Sequence, residues 1–123
     1  MFKLLLVFIG GGLGSVIRFL VATLVNNRFI SNLPVATLLS NILSCIILGI
    51  ASYLVNEKQA LNQEVKLFLI IGLCGGLSTF STFSLETLNL LKNQNYGYAL
   101  ANVLMSLFVC IGLLYFLVKK NIY

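Results

Sequence analysis

Apolar residues along this chain come in four long runs separated by short polar stretches. The runs cover about residues 4–25, 33–54, 67–91 and 98–118. Each is long enough to cross ~30 Å of hydrocarbon at ~1.5 Å of helical rise per residue. The connectors NNRFISN, VNEKQALNQEVK and KNQNYG are short and polar and leave no room for a soluble domain. The pattern predicts one all-α membrane domain over residues 1–123, built from four transmembrane helices. The first run lacks a small-residue cleavage site after a short apolar core, so it reads as a retained helix rather than a signal peptide.

Within the runs, small and polar residues recur at helical spacing. Gly11, Gly14, Ser15 and Arg18 share one face of the first helix, where Gly10 and Gly14 also form a GxxxG pair. Thr37, Ser40, Asn41 and Ser44 do the same in the second, and Asn102, Ser106 and Cys110 in the fourth. For the glycines the expected role is close helix–helix packing. For Asn41 it is function, because an amide within the membrane must find partners.

The third run is different. GLCGGLSTFSTF, residues 72–83, combines three glycines with Ser78, Thr79, Ser81 and Thr82 and with two phenylalanines. Clustered glycines permit a break in a helix, here in mid-membrane. A break frees carbonyls that protein, water or an ion must satisfy. Freed carbonyls form an oxygen cage suited to a hard cation; the competing reading is a glycine packing kink. Phe80 and Phe83 stand three apart, so a helix presents them on one face with hydroxyls interleaved. Ring edges are weakly positive and hydroxyls donate hydrogen bonds. Together they suit a small anion held weakly at several points, as conduction requires. This chemistry does not separate one small anion from another.

Composition strengthens the membrane assignment. The chain is 59% hydrophobic and 9% charged, against about 25% charged in a soluble domain, and its mean hydropathy is +1.03. The net charge of +5 therefore belongs to membrane orientation and lipid headgroups rather than to nucleic acid. Lys3, Lys58, Lys66, Lys119 and Lys120 fall on the side of the termini and only Arg28 and Lys92 on the other, which predicts cytoplasmic termini in the plasma membrane. There is no histidine, which removes imidazole bases, Ser-His triads and His-ligated metals. Cys45, Cys74 and Cys110 have no CxxC spacing and read as free thiols in apolar surroundings. No nucleophile–base pair or metal cluster points to an enzyme. Glu86 is the one acid inside a run, a functional candidate or an interfacial group. Arg18 is the one basic residue well inside a run; it either pairs with a carboxylate or sits at a watery vestibule.

On these residues the chain resembles the Fluc-type fluoride channels, also called CrcB. The carrying features are GLCGGLSTFSTF followed by Glu86, GGGLGSVIR (10–18) in the first helix, and Thr37 and Asn41 of ATLLSN in the second. The similarity covers essentially the whole chain. It implies an antiparallel, dual-topology homodimer with two fluoride pathways, exporting fluoride to lower its concentration in the cytoplasm. It implies a structural sodium at the dimer interface, held by backbone carbonyls at the positions of Gly75 and Ser78. Phe80 and Phe83 become the pore phenylalanines. Thr37, Asn41, Ser81, Thr82 and Ser106 become polar pathway groups, and Arg18 and Glu86 match family positions with vestibule or structural roles. Ala36 stands where the family has glycine, Ser40 where it has valine, Asn102 where tyrosine is frequent, and Cys110 where a hydroxyl residue is common. The antiparallel arrangement rests on the resemblance alone, since a five-to-two charge bias favours one orientation.

Two other classes fit a chain of this size. A small multidrug-type four-helix transporter needs a carboxylate in its first helix, and here the only charge well inside that run is Arg18. A non-transporting packing subunit needs no lane of hydroxyls and phenylalanines.

Overall fold

The computed structural model describes residues 1–58 and 61–119. Lys120, one of the basic residues counted for orientation, lies outside them. The elements among the described residues are all helical, in the order α1 (Phe2–Arg28), α2 (Val35–Lys58), α3 (Gln63–Lys66), a π-helical segment π1 (Leu67–Cys74), α4 (Gly75–Leu77), α5 (Phe80–Lys92) and α6 (Tyr96–Val118). Taken with α3 to α5 as one span, four helices are long and apolar enough to cross a membrane: Phe2–Arg28, Val35–Val55, Gln63–Lys92 and Tyr96–Val118. The protein is a multi-pass membrane protein.

The helices run past the apolar stretches that announced them. α1 continues through polar Asn26 to Arg28, closed by the Phe29 N–H on the Val25 carbonyl at 2.8 Å. The third span starts at Gln63 rather than Leu67, because Asn62 caps it: its side-chain oxygen accepts the Val65 N–H at 2.9 Å. Hydropathy does not register such polar ends. α5 stops in a Schellman turn, with Asn95 N–H on the Leu90 carbonyl at 2.8 Å and Gln94 N–H on that of Leu91 at 3.0 Å. Gln94 takes the left-handed position, φ 60°, that glycine usually fills. Tyr96 and Gly97 then already belong to α6.

α1 packs chiefly on π1 and α4, and α2 on α6. Glycines set the first contact. A β-carbon at Gly14 would lie 2.3 Å from the Leu73 carbonyl oxygen, and one at Gly76 would lie 2.2 Å from that of Gly11. Gly10 and Gly72 are similarly blocked by opposing backbone. Two GxxxG pairs, 10/14 and 72/76, thus bring two backbones into direct contact. No glycine among the described residues has a positive φ, so here the residue supplies proximity rather than a turn. The π1 segment, eight residues long, lies in this crossing.

Polarity is turned inside out. Thr37, Ser40, Ser44 and Asn102 are buried, while Phe8, Phe19, Phe108 and Phe116 are exposed. An apolar exterior around buried hydroxyls and amides is the arrangement a lipid solvent favours.

Candidate functional site

Helical geometry lapses at two residues. Ser78 (φ −78°, ψ 157°) and Thr79 (φ −153°, ψ 123°) are extended between α4 and α5. The N–H and the carbonyl of Thr79 find partners on α2. Asn41 Oδ1 accepts the Thr79 N–H at 2.9 Å, and Asn41 Nδ2 donates to the Thr79 carbonyl at 3.4 Å. Both polar ends of one amide thus close on one residue of the neighbouring span. The Thr79 hydroxyl caps α5 by accepting the Thr82 N–H at 3.2 Å, and it also bonds the Thr82 and Ser81 hydroxyls at 3.1 and 3.3 Å.

On the other side of the lapse the Cys74 carbonyl is heavily used. It accepts the Ser78 N–H at 2.9 Å, the Ser78 hydroxyl at 2.8 Å and the Ser44 hydroxyl at 3.0 Å. In an uninterrupted helix the Thr79 N–H would bond the Gly75 carbonyl. Here it is taken by Asn41, and the Gly75 carbonyl has no described partner; nor has that of Ser78. Gly75 is exposed, and a β-carbon there would meet nothing within 4 Å. Two carbonyls are therefore uncommitted beside an open face.

A cavity of about 590 Å³ lies between α1, α2 and α5. Arg18, Thr37, Thr79, Thr82 and Glu86 all line it, with Asn26, Asn89 and Asn93 elsewhere on its wall. The Thr37 hydroxyl donates to Glu86 Oε1 at 2.7 Å. Glu86 Oε2 is buried without a partner among the described residues, and no hydrogen bond joins Glu86 to Arg18. The guanidinium of Arg18 and the carboxyl group of Glu86 face one cavity without pairing.

The phenylalanines sit at the start of α5. Phe80 and Phe83 have ring centroids 5.8 Å apart, tilted by 40°. Phe80 is 79% exposed in the single chain, and Phe83 is half-buried. Ser81 and Thr82 are exposed beside them. Ser106 is half-buried on α6 and does not line the cavity. The structure thus gathers Asn41, Ser81 and Thr82 about Thr79, and Thr37, Arg18 and Glu86 about the cavity, with Ser106 apart. Cys45, Cys74 and Cys110 are free thiols.

Sequence reasoning passed over Thr79, on which Asn41 closes, and Ser44 as a ligand of the Cys74 carbonyl. Thr79 carried a local signal, a hydroxyl residue opening the α5 run with Thr82 three residues on. Ser44 carried only its place on the polar stripe of α2, since its partner is thirty residues away. Asn102, buried, donates to the Thr87 hydroxyl at 2.9 Å and Thr87 to the Phe83 carbonyl at 2.8 Å. The amide of α6 therefore braces α5 one turn beyond Phe83.

Residues 5–118 match the family described as CrcB-like protein, Camphor Resistance (CrcB). The chain is 46% identical over 94 residues to the fluoride-specific ion channel FluC of Phocaeicola vulgatus, covering 76% of this chain and 77% of that one. It is 42% identical over 108 residues to the FluC of Gloeothece citriformis, with 88% and 87% covered. For the FluC of Serratia proteamaculans the values are 43% over 105 residues, with 85% and 82% covered.

Proposed function

The chain belongs to the CrcB-like family, and from that premise we propose that it is a fluoride channel, a conductor of ions rather than an enzyme. The observation that carries the reading on this chain is the Asn41–Thr79 clamp. It holds two extended residues between helices, directly before a turn bearing Phe80, Ser81, Thr82 and Phe83. Ring edges and hydroxyls then give a small anion weak contacts at several points. Thr37, Asn41, Ser81, Thr82 and Ser106 are the polar pathway groups and Phe80 and Phe83 the aromatic ones. Asn41 spends its oxygen and one N–H on Thr79, which leaves a single N–H for the anion. Arg18 faces the cavity as a fixed positive charge, and Glu86 is held by Thr37 as a structural carboxyl.

The working unit is an antiparallel homodimer of dual topology, with the two-residue lapse at membrane depth. A structural sodium joins the subunits there, on the carbonyls of Gly75 and Ser78. The donor set fits: both oxygens lack a described partner, both are hard ligands, and Gly75 lies on an open face where a second copy has room. When bound, the ion supplies positive charge at the interface; the chain supplies the carbonyls and, through Asn41, keeps Thr79 from reclaiming that of Gly75.

The direction is outward. A membrane potential negative inside drives an anion out by about 2.3 kcal/mol per 100 mV. Cells lacking their own fluoride exporter, expressing this chain and bathed in fluoride, are expected to hold less internal fluoride by electrode than cells expressing Phe80→Ala. Equal accumulation in the two contradicts export.

A further inference from the structure

Hydroxyls inside helices normally return their proton to the carbonyl one turn back. Thr23, Ser84 and Thr87 do so, to Phe19, Phe80 and Phe83, at 2.8 to 2.9 Å. Ser40 does not. It is 1% exposed, and its Oγ has no partner among the described residues. A buried hydroxyl left unpaired is costly, so its position asks for an explanation. Ser40 lines the cavity, along with Thr37, Thr79 and Thr82. Of these, Thr37 has committed its proton to Glu86, and Thr79 is engaged with Thr82 and Ser81. Ser40 is the buried hydroxyl of the lining whose donor is uncommitted among the described residues.

We infer that Ser40 is a further anion-contacting residue, its hydroxyl donating to a small, strongly accepting anion in the cavity next to the Thr37–Glu86 pair. The inference rests on the channel reading above. The free donor matters there because Glu86 competes with any anion for the neighbouring hydroxyls. The Ser40 oxygen is sealed from solvent, so contact requires a χ1 rotation between staggered positions, a small step for a serine. The other occupant such a site admits is a water shared between Ser40 and the free Glu86 oxygen.

Fluoride efflux from liposomes holding the full-length protein, measured over a range of internal fluoride, separates these. Wild type, Ser40→Ala and Ser40→Thr are compared, each with its thermal midpoint recorded with and without fluoride. Ser40→Ala is expected to raise the half-saturating fluoride concentration by about tenfold, the worth of one hydrogen bond to an ion, without changing the limiting rate. Ser40→Thr, which keeps the hydroxyl, is expected to restore it. Superimposable curves for wild type and Ser40→Ala, or an equal shift in both variants, overturn the inference; so does an alanine variant altered only in fluoride-independent stability, the mark of the shared water. Absence of efflux from wild type defeats the channel reading instead. In that case a fluoride-induced rise of the midpoint in wild type that is lost in Ser40→Ala still supports the contact, and equal midpoints reject it.

Discussion

Asn41 is the residue on which the site turns. Its amide satisfies both the N–H and the carbonyl of Thr79, which α4 and α5 leave unpaired. Alanine there strands two part-buried backbone groups, at about 1–3 kcal/mol each. Asn41→Ala is therefore expected to lower stability by about 2–6 kcal/mol and to abolish flux, read as a drop in the thermal midpoint of the purified protein and by efflux. A variant of unchanged midpoint contradicts the clamp. Little of this was legible beforehand. The stripe of Thr37, Ser40, Asn41 and Ser44 marks α2 as carrying a polar face, but the partner lies thirty-eight residues on in a different span. Periodicity describes one helix at a time and is silent on which carbonyl a neighbour will need.

At the scale of elements, the four apolar runs were readable because hydropathy over some twenty residues is a strong signal. Their polar ends were not, since caps such as Asn62 act through single hydrogen bonds. The glycines of the third span illustrate the same division. Gly72 and Gly76 are helical and serve contact with α1, while the extended residues are Ser78 and Thr79. The π-helical turns of Leu67–Cys74 have no signature in the sequence. Two substitutions separate packing from pairing. Gly14→Ala places a carbon 2.3 Å from a backbone oxygen that no side-chain motion relieves, so it is expected to cost about 3 kcal/mol and to reduce the yield of folded chain. Gly75→Val meets open space within the chain. It is expected to preserve helical content by circular dichroism and to lose the dimer by size-exclusion chromatography in sodium. A Gly75→Val protein that remains dimeric and conducts contradicts the carbonyl assignment.

The whole molecule wraps a few buried hydroxyls and amides, set among buried apolar side chains, in an apolar exterior that crosses the membrane four times. Arg18 and Glu86 look onto one cavity between α1, α2 and α5, and that cavity reaches the hydroxyls that begin α5. Hydropathy gives the crossings, but only folding brings residue 18 to residue 86. The central claim is that this arrangement passes fluoride. Its most direct test is anion efflux from liposomes carrying the purified chain, with fluoride and chloride measured side by side and Phe80→Ala as control. The expected result is fast fluoride efflux without chloride efflux, lost in Phe80→Ala while the proposed dimer persists. Equal passage of both ions, or none of either from a folded protein, would contradict it.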